Sequence, residues 1–105
     1  MGTEQRARRI KQVRNEILVV LKMVYPAGLQ AGAMLRSLLA IFPQLEWEDF
    51  RKDLVYLCEK GYVRQVDFPD AEAGRTGPWR RRWFRLTPAG VEVADHCVAD
   101  PALEV

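Results

Sequence analysis

Gly61 separates two hydrophobic periods, and a chain that carries both cannot fold as a single type of secondary structure. Before it, apolar residues recur at intervals of three and four. After it, Tyr62, Val66 and Phe68 alternate on one face of a strand pattern, and Phe84 and Leu86 do the same further on. Pro26 with Gly28, and then Pro43, cut the first part into separate helices, because proline lacks the N–H that a helix interior requires. The chain has 105 residues, 49% of them hydrophobic, which suits one domain over 1–105 rather than two cores.

Ile10, Val13, Ile17, Val20, Leu21 and Val24 predict a first helix from about residue 4 to 24, with residues 1–9 as a basic N-terminal arm. From Ile17 to Val24 this helix is apolar nearly all round, which implies burial on more than one side. Leu18, Val19 and Met23, joined by Val91, Ala94 and Val98 of the last helix, are therefore expected to form a homodimer interface. Leu29 and Gln30 fit either a short strand or a helix entry. A second helix is expected over about 31–41, with Met34, Leu35, Leu38 and Leu39 inward. A third covers about 46–60, with Trp47, Phe50, Leu54, Leu57 and Cys58 on one stripe and Gly61 as its stop.

Strands are expected over 62–68 and 79–86, joined by a loop rich in glycine and proline, as a two-stranded hairpin. In the second strand Arg82, Phe84 and Leu86 share one face, and Arg81, Trp83 and Arg85 the other. Thr87-Pro88 then supplies an N-cap followed by proline at the first helical position. The last helix runs to about Val98, and 99–105 form a frayed tail.

Several classes of function are excluded at this level. The longest apolar run, Ile17 to Leu21, is far below the ~20 residues that span a bilayer, and the polar start has no secretory core, so no membrane partner is expected. Two cysteines in a chain of this size point to free thiols in a reducing cytoplasm. Asp95-His96-Cys97 cannot converge on a metal, because consecutive helical residues point about 100° apart. No nucleophile-elbow, Walker or dinucleotide-binding pattern occurs, so neither catalysis nor a cofactor is expected.

Charge is more informative. The net charge is +2, but residues 1–45 carry +5, residues 46–74 carry −4, residues 75–86 carry +5 and residues 87–105 carry −4. A strip of one sign attracts polyanions even when the total is small. Arg75, Arg80, Arg81, Arg82 and Arg85 lie within eleven residues beside Trp79 and Trp83, and the planar guanidinium fork suits phosphate. The tryptophans are candidates for stacking on single-stranded bases. Arg80 and Arg81 are expected to reach solvent and Arg82 to be partly buried. Arg6, Arg8, Arg9, Lys11 and Arg14 form a second cluster at the end of a helix dipole that disfavours cations, fitting either a basic arm on nucleic acid or a frayed, solvated end.

Three helices, a hairpin and a closing helix follow the order of a winged helix-turn-helix domain. Leu54-Val55-Tyr56-Leu57-Cys58-Glu59-Lys60-Gly61-Tyr62-Val63 resembles a recognition helix entering a wing. Arg85-Leu86-Thr87-Pro88-Ala89-Gly90 is similar to the return strand and final-helix start of PadR-like and MarR-like regulators. The resemblance implies a mainly α fold with a two-stranded β wing, a third helix in the major groove and a wing on the DNA backbone. It implies a small DNA-binding protein, a transcriptional regulator or phage-type accessory, that contacts duplex DNA through wing arginines with Arg51 and Lys52 in support. The third helix departs from that pattern, since Glu48, Asp49 and Glu59 point outward with Lys52 and Tyr56. The alternative is a protein-interaction module that sets this acidic helix against a basic partner.

Overall fold

A computed structural model describes residues 3–66 and 78–95. Helix α1 spans Thr3–Val24, strand β1 Leu29–Gln30, helix α2 Ala31–Leu39, helix α3 Trp47–Glu59 and strand β2 Val63–Val66. A single 3₁₀ turn, Trp79–Arg81, precedes strand β3 (Trp83–Leu86) and helix α4 (Pro88–Ala94). The chain is thus mainly helical with a small antiparallel sheet.

α1 buries Val13, Ile17, Leu18 and Leu21 on the stripe that its spacing predicts. They meet Met34 and Leu38 of α2, Phe50, Leu54 and Leu57 of α3, Val63, Phe84 and Leu86 of the sheet, and Val93 of α4 in one continuous core. Residues 3–9 are all exposed, so the first turns of α1 project beyond that core. Arg6, Arg8 and Arg9 consequently stand on helix rather than on a separate arm. No helix among the described residues is long and apolar enough to cross a membrane.

α3 ends as the sequence dictates. Gly61 takes φ +82°, where a side chain would be strained. Its N–H bonds the carbonyl of Cys58, and the N–H of Tyr62 bonds that of Leu57, the paired arrangement of a glycine-terminated helix. Thr87 caps α4 by accepting from the Gly90 N–H at 3.1 Å, while its own hydroxyl donates to the Gly61 carbonyl at 2.6 Å. One side chain therefore ties the end of α3 to the start of α4.

Three expectations are corrected. The sheet has three strands, in the order β1-β3-β2, not two. Leu29 and Gln30 pair with Phe84 and Trp83, satisfying an edge of β3 that a simple hairpin would leave open. The strand expected over 79–86 begins only at Trp83, because the N–H groups of Arg81 and Arg82 bond the carbonyls of Pro78 and Trp79 in a turn. Arg81 thereby leaves the strand alternation and shares no strand face with Trp83 and Arg85. Finally, Leu18 is fully buried inside the protomer and is no interface residue. The apolar girdle shrinks to Val19 and Met23, 37% and 81% exposed, beside the half-buried Val91 and Ala94. Val98 lies outside the described residues.

Candidate nucleic-acid interface

The 3₁₀ turn is pinned through its aromatic residue. Trp79 stacks on the buried Phe84, ring centroids 5.2 Å apart and planes 21° off parallel. The guanidinium carbons of Arg51 and Arg82 lie 5.1 and 5.3 Å from the Trp79 centroid. Beside them, Arg80 sits 4.5 Å from the ring of Trp47, which itself packs 5.7 Å from Phe50. Each arginine is attracted by the negative face of an indole, worth ~0.5–1 kcal/mol at an exposed site. The contact holds the guanidinium plane in place and leaves N–H groups at its rim able to donate.

Helix α2 adds to this cluster. A Cβ placed on Gly32 would lie 3.6 Å from the Arg80 Cβ and 3.8 Å from the Nη1 of Arg36, so those two arginines converge over the first turn of α2. Arg36, Arg80 and Arg81 are exposed, and Arg51 and Arg82 half-buried, as expected for Arg80, Arg81 and Arg82.

A second basic patch lies on the sheet. Arg64 of β2 stands directly opposite Arg85 of β3. Arg85 is half-buried, 5.7 Å from the Tyr25 ring centroid, and its Nε donates to the Leu86 carbonyl at 3.2 Å. Like charges in direct opposition destabilise a strand pair. Among the described residues the ion pairs Arg14–Asp53, at 3.1 Å, and Lys22–Asp95 involve none of Arg36, Arg51, Arg64, Arg80, Arg81 and Arg85.

The structure thus gathers Arg51, Arg80 and Arg81 around the turn and places Arg85 on the neighbouring sheet face. It does not bring the α1 cations there. Arg6 and Arg9 line a cleft between α1 and α3 together with Lys52, and Arg9 lies 5.9 Å from the Phe42 ring. Arg8 is exposed on α1, and Arg75 lies outside the described residues. Trp79 serves as a platform between Phe84 and two arginines, so its ring is not presented to a base. Sequence reasoning missed Arg36, Arg64 and the seat that Trp47 gives Arg80. Arg64 alone left a signal, a cation at the centre of the strand read at 62–68.

Comparison with protein-family models, with curated proteins and with solved structures gave no match.

Proposed function

We propose that this is a winged-helix protein that holds duplex DNA by its phosphate backbone, as a regulator or a DNA-binding accessory. The observation that carries the reading is the exposed pair Arg80 and Arg81, set among Arg36, Arg51 and Arg82 with no ion pair of Arg80 or Arg81 to a described acid. The element order, and a sheet whose third strand inserts between the other two, agree with the winged-helix resemblance. Phosphate contacts position a protein without reading sequence. Base reading by α3 is disfavoured, because Glu48, Asp49 and Glu59 are exposed on it and phosphates repel them.

A titration of unrelated duplexes at low salt tests this. The expected result is similar affinity for all of them, with weaker binding after Arg80→Ala and Arg81→Ala. Absence of binding at low salt overturns it. The acidic surface of α3 favours the second reading, docking on a basic protein; Glu48→Ala would then weaken partner capture while the arginine variants leave it intact.

A further inference from the structure

A cleft of about 640 Å³ opens between the N-terminal half of α1 and the start of α3, well within the size of small-molecule sites. Its two walls carry opposite charge. The α1 wall presents Arg6, Arg9 and Arg14; the facing wall presents Glu46, Asp49 and Asp53 together with one cation, Lys52. Ile10, Val13 and Leu45 make the apolar lining. Opposite walls of this kind attract, yet among the described residues they are joined only at the bottom, by Arg14 and Asp53. Above that pair the cleft stays open.

Arg14 is held like a fixed recognition group. Its Nε donates to Asp53 Oδ1 at 3.1 Å, and its guanidinium carbon lies 3.7 Å from the Tyr56 ring centroid. The terminal Nη1 and Nη2 have no hydrogen-bond partner among the described residues. No buried side-chain nitrogen or oxygen among those residues is left unsatisfied, so these two nitrogens reach solvent on a side chain that lines the cleft. A guanidinium with its Nε anchored and its outer nitrogens open is preorganised for a carboxylate, because little side-chain entropy remains to be lost.

We propose that this cleft binds a small zwitterion of the amino-acid type, its carboxylate on Arg14 and Arg9, its ammonium on Asp49 and Glu46, and its apolar body on Ile10 and Leu45. A simple anion would satisfy the α1 wall and face the carboxylates opposite; a simple cation would meet the reverse. Only a dipolar ligand complements both walls. The site is separate from the arginine turn, and its failure would leave the duplex-binding reading untouched.

The experiment is an NMR titration of the full chain with L-phenylalanine, with 3-phenylpropionate and 2-phenylethylamine as singly charged analogues. Saturable shifts are expected at the Arg14 Nε–H and at the amides of Val13 and Leu45, with each analogue at least tenfold weaker. Asp49→Asn, on the exposed side of α3, should weaken L-phenylalanine and leave 3-phenylpropionate unaffected or improved. Arg14→Lys should weaken L-phenylalanine and 3-phenylpropionate alike. No saturable shift at millimolar L-phenylalanine, equal affinity for the analogues, or shifts confined to residues outside the cleft would overturn the proposal.

Discussion

Arg64 and Arg85 face each other directly across the β2–β3 ladder, two cations in a register that weakens the sheet. A polyanion that neutralised both would remove the repulsion, so binding of a phosphate chain at this face would stabilise it. Replacing Arg64 by threonine should accordingly stabilise the free protein, by up to about 1 kcal/mol in chemical denaturation. The same variant should lower the salt slope of duplex binding by about one. Loss of stability in Arg64→Thr would show that the pair is not repulsive in solution.

The turn arginines make a sharper case. Arg80→Ala combined with Arg81→Ala is expected to weaken duplex binding at least tenfold, about 1.4 kcal/mol. Stability should change by less, because the contact of Arg80 with Trp47 is an exposed one worth ~0.5–1 kcal/mol. Glu48→Ala should leave binding unchanged or strengthen it, since it removes a charge that phosphate repels. Anisotropy titrations beside urea melts separate the two effects, and unchanged affinity in the double variant would remove the turn from the interface.

Much of this frame was legible because its signals are local. Helix α1 was expected from 4 to 24 and spans Thr3–Val24; α3 was expected over 46–60 and spans Trp47–Glu59. Proline, glycine and the apolar stripe act within a few residues of where they stand. The failures are long-range. β1 becomes a strand only because β3, over fifty residues on, offers it partners. Arg14 and Asp53 are 39 positions apart, and nothing near either residue announces the other. The apolar girdle around Leu18 does not reveal how many neighbours will cover it; α2, α3 and α4 all pack on α1 and leave Leu18 no outer surface. The arginine cluster was readable as charge, but not its seating on Trp47 and Trp79, which depends on where the turn meets α3.

Thr87 offers a test of the joint that carries the sheet into α4. It accepts from Gly90 and donates to Gly61, so Thr87→Ala should lower stability by about 1–2 kcal/mol. Thr87→Ser, which keeps the hydroxyl, should retain most of it. Gly90→Ala should also destabilise, by roughly 1–3 kcal/mol, because the added Cβ would run into the Tyr62 carbonyl. Equal melting temperatures for the alanine and serine variants at Thr87 would contradict the cap.

Asp53 gives a pH signature. Burial raises its carboxyl above the ordinary 3.8, the hydrogen bond and charge of Arg14 oppose that, and Asp49 adds to it. A carboxyl raised in the folded state favours folding when protonated. Its contribution is full below the ordinary value and is lost as pH climbs through the raised one. The stability of the wild type minus that of Asp53→Asn should therefore decrease with rising pH across that window and then level off. A difference that grows with pH would mean that Arg14 outweighs burial.

If arginines hold the phosphate backbone without reading bases, salt must weaken duplex binding steeply and to the same degree for every sequence. The logarithm of the association constant, plotted against the logarithm of salt concentration, should fall steeply, with the same slope for unrelated sequences, and less steeply for the Arg80→Ala, Arg81→Ala variant. A slope near zero, or a slope and affinity unaltered in that variant, would show that these arginines do not hold the backbone.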